Sequence, residues 1–352
     1  MYMLKYICKR IGLMLMTFAI IFATCFTLIR LLPINTSAGF GEDPGKIIRE
    51  LVNRGQLVDL GNGQYERASV IDQFKEYARR IFEDGDFGIS YNIPDLRNKS
   101  VWGVFIEKLP PTILINIYSS LFSVPIGIAL GIFAALKKNK WQDHFISTAV
   151  MVVISVPSFV YASLLLYTIC FKMTPALPMT LASLPSIVDT NPDKGYVYTA
   201  LTTNWPLYFN WTMFRSMIPP ILAMSFGSIA GYTRFVRAEL TEVLTSEFML
   251  LARTKGLTKS QATLHHALRN SMVPIFPSIV GEFISVLSGS LVIEKIFGIP
   301  GVGGIYLQAI NAQDLDLFML LSSFYLLVGL LAGLVIDLSY GVIDQRIRMG
   351  AK

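Results

Sequence analysis

Four ionisable residues, Glu282, Glu294, Lys295 and Asp337, fall inside or at the ends of long apolar runs. A charge held in hydrocarbon costs at least about 2.5–3.5 kcal/mol on insertion scales, so such residues by default line an aqueous path or mark a boundary. Glu282 is the best-placed path residue, and Ser285 and Ser288 follow it on the same run. Glu294 reads either as a path residue or, with Lys295, as a cap for the turn Gly298–Gly304; Asp337 reads as a partner for Arg346 or for a helix end. Catalysis has no candidate. A membrane-embedded protease or acyl transferase would need paired acids, Ser with Lys or His, or a His/Asp cluster at one depth, and no such set is visible. Adjacent His265 and His266 point to different helix faces and His144 lies in another loop, so no metal site is expected. Cys8, Cys25 and Cys170 are odd in number and sit in or beside apolar runs, which argues against a disulfide framework. The Gly45-Lys46 pair is followed by Ile47 and lacks the upstream glycine of a phosphate-binding loop, so no cofactor is expected in this chain.

The elements that must position these residues are membrane helices. The 352 residues are 53% hydrophobic and 15% charged, with a mean hydropathy of +0.53, against about 45–50% apolar and 25% charged in soluble domains. Too little polar surface remains to clothe globular domains in water, so the bilayer is the expected solvent. Six runs, Ile11–Leu32, Pro111–Leu136, Phe145–Phe171, Met217–Thr233, Pro274–Phe297 and Leu317–Leu338, read as six transmembrane helices of an all-α integral membrane protein. The first is too long for a signal-peptide core and lacks a small-residue cleavage site, so it is expected to stay. Segments 1–10, 137–143, 234–273 and 339–352 hold 15 Lys/Arg against 5 Asp/Glu, whereas 33–109, 172–216 and 298–316 hold 13 against 16. The basic set is therefore cytoplasmic, with both termini, and the net charge of +6 marks topology rather than nucleic-acid binding.

The domain plan is helix 1 at 1–32, an extracytoplasmic segment at 33–109, a core of helices 2–6 at 110–338 and a cytoplasmic tail at 339–352. In the outer segment Ser69 is placed to cap a helix with apolar Val70, Ile71, Phe74, Tyr77, Ala78, Ile81 and Phe82, ended by Gly85. Ile47, Ile48, Leu51 and Val52 form an earlier amphipathic stretch. The second outer segment, 172–216, carries five prolines and reads as irregular. Gly127, Gly131 and Ala135 have the spacing of a helix-packing seam.

The cytoplasmic loop at 238–273 is the most informative stretch. Thr245 or Ser246 can cap a first helix that ends in the basic turn Arg253, Lys255, with Gly256 placed for a left-handed residue. Thr258 and Gln261 form a capping box for a second helix through Ala262, Leu264, Ala267 and Leu268. Small Ala252 and Gly256 would admit a close partner surface, and Arg253 and Lys255 could pair with acids on it.

This loop resembles the EAA loop of the membrane subunits of binding-protein-dependent ABC importers, in the variant of the oligopeptide, dipeptide and nickel permeases. The likeness lies in Ala252-Arg253-Thr254-Lys255-Gly256-Leu257, then His266-Ala267-Leu268-Arg269-Asn270 and Pro274. The Glu and first Ala of the general motif are absent, and Thr254 replaces an Ala. Gly85-Asp86-Phe87-Gly88-Ile89-Ser90, Leu109-Pro110-Pro111-Thr112, and Glu294-Lys295-Ile296-Phe297-Gly298-Ile299-Pro300-Gly301-Val302-Gly303 are similar to further blocks of the family. So is Asp337-Leu338-Ser339-Tyr340 with Asp344-Gln345-Arg346-Ile347, where Gln345 replaces a Pro. The B-type oligopeptide permease subunits are the nearest match. The resemblance implies a type I ABC importer permease fold in a bacterial or archaeal plasma membrane. It also implies a second, usually different, permease subunit, two ATPase subunits that bind the ATP, and an extracytoplasmic substrate-binding protein. The ATPases would dock on Ala252, Arg253, Lys255, Gly256, Leu257, His266 and Arg269. Peptide is the expected substrate, with a nickel-chelate importer as the alternative. An ion-coupled secondary transporter, the reading from another class, would show two related halves that are not seen.

Overall fold

The computed structural model describes residues 2–31, 44–61, 63–172 and 211–343. Helix dominates, as it must where backbone groups have no water to bond and have to pair within their own segment. α1 (Tyr2–Arg30), α4 (Val101–Leu136) and α13 (Leu315–Ile343) are each long and apolar enough to cross a bilayer. α4 begins before the apolar run that announced it and keeps Pro110, Pro111 and Pro125 within its helical course. α7 (Trp211–Leu244) covers the run Met217–Thr233 read as the fourth span, but it is not among the described helices whose length and hydropathy alone suffice to cross.

Two of the expected spans are broken. The third consists of α5 (Trp141–Ser155) and α6 (Ser158–Leu165), with the chain bent by 97° between them. Pro157 lacks an N–H and its ring forces Val156 into an extended conformation, φ −89° and ψ 125°. The fifth stops at the end of α10 (Leu268–Ser285). Gly289 then takes φ +65°, and Ser290 caps a separate short helix, α11 (Leu291–Ile296). Val302–Ala312 forms α12. Hydrophobicity runs unbroken through both interruptions, but the backbone direction does not.

The described residues fall into two compact units. The first holds 2–7, 107–304 and 328–343. Its seam is the pairing of α4 with α7. A β-carbon at Gly127 would sit 2.7 Å from Tyr232 Cβ, and one at Gly131 2.7 Å from Val236 Cβ. The small-residue spacing thus serves close helix packing. Hydroxyls reinforce the seam: Thr233 Oγ1 donates to the Gly127 carbonyl at 3.2 Å, and the buried Ser119 and Ser225 hydroxyls meet at 3.1 Å. Ile115, Met217, Ile221, Ile293 and Phe297 form a core joining α4, α7 and α11.

The second unit holds 8–106 and 305–327. To the expected helices it adds an antiparallel hairpin, β1 (Leu57–Gly61) with β2 (Gln64–Arg67), following α2 (Pro44–Asn53). α3 (Val70–Arg79) continues into a wide turn, Arg80–Asp84; Ser69 Oγ accepts from Asp72 N at 3.2 Å, and Gly85 ends the course at φ +64°. Phe26 of α1 packs on Phe74 and Tyr77 of α3, with ring centroids 5.3 and 5.5 Å apart.

A buried ionic group holds this unit together. Asp316, 3% exposed, accepts from Arg30 at 3.2 Å and from Arg54 at 2.5 Å. Asp314 accepts from Ser90 Oγ at 2.6 Å and from the Tyr91 and Asn92 amides. Burial pushes the Asp314 carboxyl above the usual carboxylate range; the Ser90 hydrogen bond opposes this and the Asp316 charge adds to it. Gly88, at φ +107°, lets the backbone lie directly on Asp316, whose carboxylate a β-carbon would overlap. The block Gly85–Ser90 is therefore the strip of chain that seats the acids at 314 and 316. Of the outer segments read from sequence, 32–43 and 173–210 lie outside the described residues, as does Arg346, the partner considered for Asp337.

Candidate functional site

The loop after α7 folds into two short helices where its capping signals place them, although only the second is capped by a side chain. Ser246 occupies the N-cap of α8 (Glu247–Thr254), but its hydroxyl donates back to the Val243 carbonyl at 2.6 Å instead of capping the helix. Gly256 follows at φ +92°, a conformation a side chain strains, although a β-carbon there would meet no atom within 4 Å. The capping box is complete: Thr258 Oγ1 accepts from Gln261 N at 3.3 Å and Gln261 Oε1 accepts from Thr258 N at 3.1 Å. α9 (Lys259–Ala262) passes through a wide turn, Thr263–Ala267, straight into α10, with no loop between. Removing the box by Thr258→Ala is expected to cost about 1 kcal/mol locally. Amide exchange should quicken across 259–262 and stay unchanged in α8; equal protection in both would refute the assignment.

Ala252 differs from its expected role as an open docking point. It is buried, packed with Met249, Ala262, Ala267, Leu240 and Ala135, so its small side chain lets α8 and α9 close on the ends of α4 and α7. Leu257 packs against the same cluster. The exposed surface is made instead by Arg253, Lys255, His266 and Arg269, together with Leu250, Leu251 and Leu264. This face is at once apolar and basic. Asp143, which the sequence reading passed over, anchors the same end of the unit. It is fully buried and held bidentately by Arg237 Nε at 2.5 Å and Nη2 at 2.8 Å, fixing α5 to α7.

The path candidates separate into two places. Glu282, half-buried on α10, accepts from Ser228 Oγ of α7 at 2.8 Å. Ser285 is exposed one turn on, its hydroxyl spent on the Glu282 carbonyl, and Ser288 lies in the turn that follows. Glu294 does not join them. Glu294 is 2% exposed, and its carboxylate accepts from Thr112 Oγ1 at 3.0 Å and from Gly303 N at 2.8 Å, while Thr112 Oγ1 accepts from Val302 N at 2.9 Å. Of the two readings left open by the sequence, the turn cap is the one this geometry carries. A β-carbon at Gly301 would overlap the Glu294 and Thr112 oxygens, which explains the glycine beside Pro300.

Residues 127–349 match the family model of the binding-protein-dependent transport system inner membrane component. The chain belongs to this family. A dipeptide transport system permease protein, DppB, of Lactococcus lactis subsp. cremoris is 29% identical over 99% of this chain and 100% of its own length. DppB of Bacillus subtilis is 28% identical over 99% and 100%, and the glutathione transport system permease protein GsiC of Escherichia coli K12 is 28% identical over 98% and 99%. A solved amino acid ABC transporter with histidines is 17% identical over 68% of this chain and 94% of its own, with a TM-score of 0.46.

In this inner-membrane transport component, the motif blocks that looked like separate islands are contact partners. Leu109–Thr112 supplies the threonine that meets Glu294 and Val302 of the Glu294–Gly303 block. The ion group of Asp316 with Arg30 and Arg54 was missed because it joins positions 286 and 262 residues apart, and nothing local in the sequence marks the pairing. The signal available was an arginine, Arg30, left at the end of an otherwise apolar run.

Proposed function

We propose that this chain forms half of the translocation path of an ATP-driven peptide importer and receives the stroke of its ATPases through α8 and α9. The observation that carries the proposal is the α8–α9 pair: it has a small hydrophobic core of its own, and a basic, apolar surface left uncovered. The two ATPase subunits that bind and hydrolyse ATP would supply acids to Arg253, Lys255 and Arg269. A second permease subunit of different sequence would complete the path, and a substrate-binding protein would deliver ligand from the side opposite the basic loops. The excess of Lys and Arg in the basic loops supports a cytoplasmic side for both termini. Peptide as the cargo is supported by the dipeptide and glutathione names of relatives matched over nearly the whole chain.

Gly256 offers the discriminating variants. Asn tolerates a left-handed backbone and carries no charge, whereas Asp adds a negative charge opposite the proposed acids. Gly256→Asp is expected to reach the membrane at normal levels but to lose peptide uptake and ATPase co-purification, with Gly256→Asn retaining most of both. Normal uptake and co-purification in the Asp variant would overturn the docking reading. Uptake of nickel complexes in preference to di- and oligopeptides by the intact importer would overturn the cargo.

A further inference from the structure

The second unit contains a cavity of about 310 Å³ between α1, α3 and α13, walled by Phe18, Phe22, Phe74, Ile81, Phe82 and Leu320. Its wall is almost wholly carbon. The Ser323 hydroxyl on it is already spent on the Met319 carbonyl at 2.6 Å. Partly open on one side, it is about twice the size of an engineered protein cavity of roughly 150 Å³ that takes benzene. With no donor or acceptor to offer a peptide backbone, it suits an unbranched alkyl chain.

The surroundings identify where such a chain comes from. α1 is long and apolar enough to cross a bilayer and turns Leu15, Met16, Ile20 and Leu28 outward, a surface that acyl chains can line beside the cavity. At the rim Phe82, in the turn that follows α3, is 88% exposed and lies beside Phe74, Ile81 and Phe18 on the cavity wall. The acids next to Phe82, Glu83 and Asp84, are 65% and 55% exposed and share Arg79 with Glu76, which places them on the water-facing side of the rim. α3 therefore has the character of an interfacial helix, apolar toward α1 and polar on its other side. We infer that this cavity holds one acyl chain of a bilayer phospholipid, clasped between the membrane helix α1 and the amphipathic helix α3.

The inference depends on α1 crossing the bilayer and is independent of the transported substrate. Its test uses the whole importer in nanodiscs of phosphatidylethanolamine and phosphatidylglycerol, doped with phosphatidylethanolamine carrying a diazirine at mid-chain. After photolysis, peptides containing Phe18–Phe22 and Phe74–Phe87 should carry severalfold more label than the peptide containing Leu28. Ala19→Phe and Ala78→Phe fill the space and should abolish the excess, whereas Ala19→Val should keep it. Even labelling along α1, or an excess that survives filling, would overturn the assignment. So would labelling of the wall only after the second permease subunit is stripped away, since a partner side chain would then be the occupant. Should the filled variants fail to assemble, the label map of the unaltered importer decides by itself.

Discussion

Asp316→Ala is expected to destabilise the second unit by about 3–5 kcal/mol, the penalty for removing one member of a buried ion pair and leaving the other uncompensated. Arg30 is 1% exposed and Arg54 6%, and both spend a guanidinium nitrogen on this one carboxylate. Arg30 Nε and Nη1 have no hydrogen-bond partner, so the aspartate and the face of Phe26, 5.2 Å from the guanidinium carbon, are what compensate its charge. Limited proteolysis of 44–100 in the detergent-solubilised protein should accelerate sharply. Asp316→Asn should lose nearly as much, because the amide keeps the shape and drops the charge. Replacing all three members together, Arg30→Met and Arg54→Met with Asp316→Leu, should recover part of the loss, since well-packed apolar groups then leave no buried charge to compensate. A loss below about 1 kcal/mol, the range of surface pairs, would show that the group does not clamp the unit.

Gly131→Leu is the second large effect. Even the first added carbon falls 2.7 Å from Val236 Cβ and 2.8 Å from the Thr233 carbonyl, and backbone cannot yield as a flexible side-chain end could. Overpacking of this kind costs about 1–3 kcal/mol and occasionally more, and a full isobutyl group against the α7 backbone belongs at the upper end. Because Leu240 of α7 and Ala135 of α4 also support the α8–α9 pair, separation of the seam should abolish uptake as well as lower the thermal transition. Gly329→Ala, where a β-carbon meets no atom within 4 Å, is the control and should leave both unchanged. Equal behaviour of the two glycines would mean that α4 and α7 do not depend on close approach.

These two sites mark the limits of reading the chain alone. The α8–α9 pair was legible because its determinants are local: Thr258 and Gln261 lie one turn apart, and Gly256 has the residue type its backbone conformation requires. The Gly127–Gly131 seam was legible for the same reason. The breaks at Pro157 and Gly289 were not, since each interrupts a run whose hydropathy continues on both sides, and hydropathy reports solvent preference without reporting direction. The burial of Ala252 was hidden too. A small residue looks the same in sequence whether it admits a partner or closes a core. Asp314 and Asp316 read as two acids outside a membrane helix, and only folding brings Ser90, Arg30 and Arg54 onto them.

The left-handed glycines Gly256 and Gly289 bracket a course of chain that is helical from Lys259 to Ser285, about 40 Å at 1.5 Å per residue. Mechanically this is a strut with a left-handed glycine just beyond either end. Thr258 and Gln261 stand at one end of it and Glu282 with Ser285 at the other, with no coil between them to absorb a push. A push at the capping box, the docking region proposed above, would therefore be passed along this helix toward Glu282, with Pro274 and Pro277 as the points where the helix can bend and Gly289 separating it from the turn at Glu294.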